Sequence, residues 1–341
     1  MSINLKYFPE MNAYYDMPPL ESPPFAMLSN PRSYVSQNIN TDKYGFRKTL
    51  CGSEVVSVEN IHQYEKINIL VGGSVVFGMG SSNDSTTISS NLAKLTGEIW
   101  LNMGVKSAVS FQEYIHLINH INKAKKINNI IFFSGMNDVY KSFTDFKDTH
   151  FDKWFTSNNS EYLQQNLAIF SARRLAFAFL KSIIFSRSIR EFLPGKFEAS
   201  SYADENIDLA ISNLSALYDR NFKLYKGLSS FTNAKVSYFL QPFSFWTNKE
   251  LTIDEKKSRE YLESLQSDSE WPSSRERLNN KTIKDKVTNI LSENASKNQF
   301  LFCDTNNFFN KNVPMFIDAV HLNDNGAKLA SELIFNKLGF K

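Results

Sequence analysis

A serine placed directly after a glycine pair is the first feature of this 341-residue chain that could do chemistry. Residues 67–84 read INILVGGSVVFGMGSSND, so Ser74 stands behind Gly72 and Gly73 at the end of the apolar run 67–71. Such a run suits a strand buried on both faces of a parallel sheet. Glycine tolerates the backbone angles of a sharp turn off a strand end. A serine on that turn points into the crevice where open α/β sheets place their ligands. It becomes a nucleophile if a base lies within hydrogen-bond reach and a third group orients the base. An ordinary strand-to-helix loop has the same composition, so Ser74 alone decides little. The spacing GGSVVFGMG is not the G-x-G-x-x-G of a dinucleotide site, and no Gly-Lys-Ser/Thr follows as in a P-loop.

Histidine, the usual base, occurs at positions 62, 116, 120, 150 and 321. His116 and His120 share one helical face at i, i+4. They lack the H-E-x-x-H arrangement of a zinc pair and read as a surface or core-edge pair. His321 differs, because it follows Asp318 by three residues in FIDAVHLNDNG, just ahead of the last helical stretch. One tight turn brings that carboxylate beside the imidazole, where it can fix the tautomer and stabilise the imidazolium. A lone D-x-x-H is common by chance. Two further stretches could aim donors at an oxyanion. Asn137, in SGMNDVY after the strand-like 129–133, offers a side-chain amide, although an Asn-Asp turn would look the same. The segment 102–107, NMGVKS, offers backbone N–H groups.

These residues need elements to carry them. From residue 67 a strand-then-helix rhythm runs through a strand at 67–71, a helix at 87–95, a short strand at 98–101 and a loop at 102–110. A helix at 111–124 and a strand at 129–133 follow. The rhythm resumes with strands at 236–240 and 300–303 and a final helix at 324–338, capped by Asn323 or Asp324. Strands alternating with helices predict an α/β fold with a parallel sheet and helices on both sides. Helical periodicity is also expected at 162–192, which is basic and amphipathic, and at 205–228, 254–265 and 277–294. Residues 1–60, rich in Pro, Asn, Ser and Tyr, are expected to form an irregular arm lying against a domain at 61–341. That domain carries helical insertions at about 140–234 and 247–295.

Four loops, each after a candidate strand or before the last helix, thus hold one part of an acyl-transfer site. In this the sequence resembles the SGNH (GDSL-type) hydrolases, named for Ser, Gly, Asn and His in four separated blocks. The matching stretches are GGSVVFGMG, GMND and DAVH. The resemblance implies a three-layer α/β/α, flavodoxin-like parallel sheet. It implies Ser74 as nucleophile, His321 and Asp318 as base and acid, and an oxyanion hole from Ser74, Ser107 and Asn137. It further implies an esterase acting on an O-acyl, chiefly O-acetyl, ester of a carbohydrate or related small metabolite, with neither cofactor nor metal. Two departures stand out. Gly73 occupies the position where many members have Asp. In the second block, N-x-x-x-x-G counted from Asn102 puts Ser107 at the glycine position, with Gly104 as the alternative donor. An acyltransferase using the same residues, or a non-catalytic binding module, would share these motifs.

Composition bounds the rest. A net charge of +3 is too small for a nucleic-acid partner to be expected. Hydrophobic content of 42% supplies a core. Cys51 and Cys303 are far apart and fit free thiols in a reducing compartment. Residues 1–15 have no apolar signal core, and charges interrupt the stretch 167–189, so a cytoplasmic protein without a membrane span is expected. Oligomeric state has no signature in the sequence.

Overall fold

Ile67–Gly72 (β3) is buried at all its positions and has a parallel strand on each side, as its near-continuous apolar sequence requires. Its one interior polar side chain, Asn68, is satisfied by Glu98 at 2.7 Å and by Asn129 on the neighbouring strand at 2.7 Å. The computed structural model describes residues 8, 11–21, 28–144, 205–265 and 277–340. A larger unit comprises Met1–Thr144 with Leu214–Lys341, and a smaller one Asp145–Asn213. The expected helix at 162–192 and His150 lie outside the described residues.

Two short strands, β1 (Thr49–Cys51) and β2 (Glu54–Val56), pair as an antiparallel hairpin. The main sheet contains β3 with β4 (Trp100–Gly104), β5 (Ile127–Ser134), β6 (Lys235–Leu240) and β7 (Leu301–Asp304), all parallel, in the order β4-β3-β5-β6-β7. Counted within the sheet this is 2-1-3-4-5, the doubly wound order, whose ligand crevice opens at the carboxyl ends of the strands flanking the reversal. Register brings Gly72, Gly104 and Phe133 level at that edge.

The helices that matter here are α1 (Ser74–Phe77), α2 (Ile88–Thr96), α3 (Ser110–His120), α4 (Met136–Thr144), α5 (Glu205–Thr232), α6 (Ile253–Leu265), α7 (Lys281–Asn298) and α8 (Asp324–Leu338). On one face of the sheet Leu70, Ile131, Phe133, Phe239 and Cys303 pack with Ile88 and Leu92 of α2 and with Ala327, Ala330 and Ile334 of α8. On the other, Phe132 stacks on Tyr225 of α5 at 3.9 Å between ring centroids, and Tyr238 meets Phe222 at 5.2 Å. Alternate residues of one strand thus serve opposite layers, giving the three-layer α/β/α arrangement.

The expected strand at 98–101 lies two residues later. Asn102, Met103 and Gly104 belong to β4, not to a loop. Asn102 disguised the strand because it is polar, yet it is buried and employed. Its amide donates to Val76 O at 2.7 Å and to Ser89 Oγ at 3.1 Å, and its carbonyl accepts from Gly104 N at 2.9 Å. The final helix begins at Asp324 as expected, with Asn323 accepting from Gly326 N as its cap. Residues 28–60 are bound closely to the larger unit through Asn30 and Arg47, described below. Among the described residues no helix is long and apolar enough to cross a membrane.

Candidate active site

Ser74 is the first residue of α1 and leaves the C-terminal edge of β3 after Gly72 and Gly73. These two glycines are required for space, not for unusual backbone angles. Neither has a positive φ. A Cβ on Gly72 would lie 2.4 Å from Phe133 O, and one on Gly73 would lie 2.8 Å from Asn137 Nδ2. A side chain at position 73, such as Asp, would therefore displace the Asn137 amide. The helix is one turn long and ends at Gly78, which takes the left-handed conformation (φ 86°) that glycine accepts without a Cβ penalty.

His321 arrives from 247 residues away. Its Nε2 is 2.8 Å from Ser74 Oγ, and its Nδ1 is 2.6 Å from Asp318 Oδ2. The second carboxylate oxygen, Oδ1, accepts the backbone N–H of Val320 at 2.8 Å and of His321 at 2.7 Å. Burial alone would raise the Asp318 carboxyl, but the His321 charge and these hydrogen bonds outweigh it and hold it below the usual carboxylate range. An ionised Asp318 accepts only, so Nδ1 carries the ring proton and Nε2 presents its lone pair to the serine hydroxyl.

The turn that carries this pair is a closed hairpin. Phe316 bridges Leu322, and Ile317 N donates to His321 O at 2.9 Å. Helix α6, at the position where a helix is expected over 254–265, braces it. Glu255 Oε1 accepts from Met315 N at 2.8 Å and Phe316 N at 3.0 Å, and Ser258 Oγ donates to Ile317 O at 2.7 Å. The opposite Glu255 oxygen meets buried Lys249 at 2.9 Å. The loop after α1 clasps the hairpin from the other side. Asp324 accepts from Ser82 N at 2.8 Å and from Ser82 Oγ at 2.6 Å.

Asn137, in the first turn of α4, donates through Nδ2 to Ala108 O at 2.7 Å, which leaves one amide hydrogen over. Ser107 sits in the loop after β4 with φ 63°. That is the left-handed region, which glycine enters most readily and which a serine occupies here. Among the described residues neither Ser74 N nor Ser107 N has an acceptor within the protein. Gly104, the alternative donor, is corrected by the structure. It lies inside β4, its N–H is taken by Asn102, and its missing side chain admits the backbone of Phe77, which a Cβ would approach to 2.0 Å.

Ser74, Ser107, Asn137, Asp318 and His321 all line one cleft of about 620 Å³, at the edge where the doubly wound order places a crevice. No protein-family model matches the chain, and no curated protein sequence matches it. Solved structures similar to it include an acetyl xylan esterase (12% identity over 79% of this chain and 98% of that one, TM-score 0.39). Others are an extracellular lipase from Streptomyces rimosus (12%, 80% and 100%, TM-score 0.41) and phospholipase A1 from Streptomyces albidoflavus (11%, 80% and 99%, TM-score 0.42).

Several supporting residues escaped the sequence reading. Arg47, from a stretch that showed no chemistry, is fully buried beneath α1. Its Nε meets Asp84 Oδ1 at 2.7 Å, Nη1 donates to Gly78 O at 2.9 Å, and Nη2 donates to Asn38 O at 3.0 Å. Tyr14 accepts from Arg47 at 3.0 Å and its hydroxyl lies against Gly78 O and Ser81 O. Asp138 accepts from Ser110 N and, at 2.8 Å, from Ser110 Oγ, joining α4 to the start of α3 on either side of the Ser107 loop. None has a local signal, since each partner is distant in sequence. His116 contacts Leu28 O at 2.5 Å and His120 packs on Tyr44 and Phe46, so these two rings edge the core. His62 is exposed on a 3-10 turn.

Proposed function

We propose that this protein is a serine hydrolase of the SGNH type that cleaves a carboxylic ester through an acyl-enzyme. One observation carries the reading: the unbroken hydrogen-bonded series Ser74 Oγ, His321 Nε2, His321 Nδ1, Asp318 Oδ2, with links of 2.8 and 2.6 Å. In this reading His321 Nε2 takes the proton of Ser74 as Oγ bonds to the ester carbonyl carbon. The carbonyl oxygen becomes an oxyanion, held by the N–H groups of Ser74 and Ser107 and the spare amide hydrogen of Asn137. Collapse breaks the bond to the alcohol oxygen, which leaves with the proton from His321. Water then attacks the acyl-serine, gives its proton to the same nitrogen and releases the acid, and the proton returns to Ser74. Asp318 stays ionised throughout and orients the ring. By its motifs the favoured substrate is an O-acyl ester, such as an O-acetyl group on a carbohydrate or small metabolite.

The test is covalent labelling with a fluorophosphonate, which reacts quickly only with a base-activated serine. Intact-mass analysis should show one adduct on the wild type and none on Ser74→Ala. An adduct that survives in the mutant would move the nucleophile elsewhere and overturn the reading.

A further inference from the structure

Lys106 stands immediately before Ser107 on the loop after β4, and it is among the residues that line the same cleft as Ser74 and His321. Its backbone is fixed from the N-terminal segment. Fully buried Asn30 accepts from Lys106 N at 3.0 Å while its amide donates to Gly104 O and Gly45 O, each at 2.9 Å. The start of the loop that carries the side chain is therefore anchored. The surroundings of the ammonium are poor for a cation. Nζ points a proton at the Met17 thioether, 3.3 Å away, and lies 5.7 Å from the centre of the Phe77 ring. A thioether is a weak acceptor, and a ring face is a weak counter-charge beside an oxygen anion. Among the described residues no carboxylate lies within ion-pair distance of Lys106. Partial burial also pulls its pKa below the ordinary lysine value.

Lys141 and Arg259 line the cleft as well, and among its described lining residues the one carboxylate, Asp318, is committed to His321. By strand order Lys106 sits at the β4 end of the crevice. The apolar residue Phe243 follows β6 at the other end. A half-buried ammonium with only soft partners is costly unless an anion meets it in the working complex.

We propose that the cleft accepts an ester bearing an anionic oxygen group, carboxylate or phosphate, and that Lys106 is the residue that recognises it. This rests on the hydrolase reading and adds the substrate's charge. A ligand in which the ester carbonyl reaches Ser74 and Ser107 brings its anion to the residue next in the chain to the second oxyanion donor.

Two matched pairs of esters test it, one with the anion on the acyl part and one with it on the alcohol. They are 4-nitrophenyl hemiglutarate against 4-nitrophenyl pentanoate, and 4-acetoxybenzoate against its methyl ester. The quantity read is the anionic-to-neutral ratio of kcat/KM in wild type, Lys106→Met and Lys106→Arg, because comparing proteins cancels the intrinsic reactivity of the esters. In at least one pair the ratio should fall roughly ten- to hundredfold in Lys106→Met, mainly through KM, and recover in Lys106→Arg. A ratio unmoved by Lys106→Met in both pairs overturns the proposal, even if the wild type prefers anions, and leaves the hydrolase reading standing. Should none of the four esters turn over, fluorophosphonate labelling of Ser74 decides the hydrolase reading. Calorimetric titration of Ser74→Ala with the two acids and their neutral partners then reads the charge preference without turnover. Tighter binding of an acid, lost in Ser74→Ala/Lys106→Met, retains the Lys106 assignment, and equal binding removes it.

Discussion

In the proposed mechanism Ser74, His321 and Asp318 form a unit in which each group depends on the next. The serine hydroxyl is a weak nucleophile at neutral pH until a base takes its proton, and the base is oriented by a carboxylate whose other oxygen is anchored by two backbone N–H groups. Residues that act together in this way are strongly non-additive. The proposed mechanism therefore predicts that His321→Ala, Ser74→Ala and the double variant lower turnover of a small acetyl ester by similar factors. Asp318→Asn should cost less than loss of the histidine, since the base stays and only its tautomer and orientation suffer. Single and double variants, each checked for folding by circular dichroism, give the measurement. Costs that multiply in the double variant would mean that the two side chains do not share one step. Gly73 belongs to the same scale. Its lack of a side chain leaves room for the Asn137 amide.

Elements do the positioning. Helix α1 is a single turn, too short to hold itself in water, and is fixed from below by Arg47, Asp84 and Tyr14 at its Gly78 end. The hairpin carrying Asp318 and His321 is fixed by Glu255 and Ser258 of α6 and by Ser82 through Asp324. Arg47 is the member whose loss should be felt most, because it is fully buried and its removal takes the cation from Asp84, whose carboxylate keeps the uncharged Asn40, and one of two donors from Gly78 O. Breaking one side of a buried ion pair typically costs about 3–5 kcal/mol. Arg47→Met should lower the denaturation midpoint accordingly, and an essentially wild-type urea curve would show that the network is not holding the helix.

For the molecule as a whole, buried carboxyls away from the Ser74–His321 pair, among them Asp138, Asp42 and Glu113, set a pH dependence of stability. Asp138 is raised to about 6 by burial, partly opposed by its hydrogen bonds from Ser110, and Asp42 is likewise raised to about 6 by burial. A carboxyl whose folded pKa exceeds its ordinary 3.8 retains a proton that the unfolded chain releases. Its contribution to stability is therefore lost as pH rises from about 4 to about 6 and is constant above that. Asp138→Asn removes one such group while Asp42 and Glu113 remain in both proteins. The stability of the variant relative to wild type should thus rise across pH 4–6 by on the order of 2–3 kcal/mol, read as urea midpoints at several pH values. A difference independent of pH would mean that Asp138 ionises in the fold as it does in water.

What the sequence determined by itself is the chemistry on offer and its carriers. The apolar runs at 67–71, 129–133 and 236–240 specify strands, and Ser74, Asn137, Asp318 and His321 announce themselves because each follows a strand or precedes a capped helix. Such features are legible because strand burial and turn chemistry are written within a few neighbouring residues. The strand at β4 was placed two residues early, since a buried, fully hydrogen-bonded Asn102 reads like a loop residue. Tertiary structure alone decided that Gly104 is a packing residue and that Ser107 takes the left-handed turn. It decided also that Arg47, Asn30, Glu255 and Asp138 brace the cleft, and that Lys106 has a thioether and a ring as its partners. Each of these depends on the distance between atoms that lie tens or hundreds of residues apart. Those distances follow from sheet order and register, which no local pattern encodes.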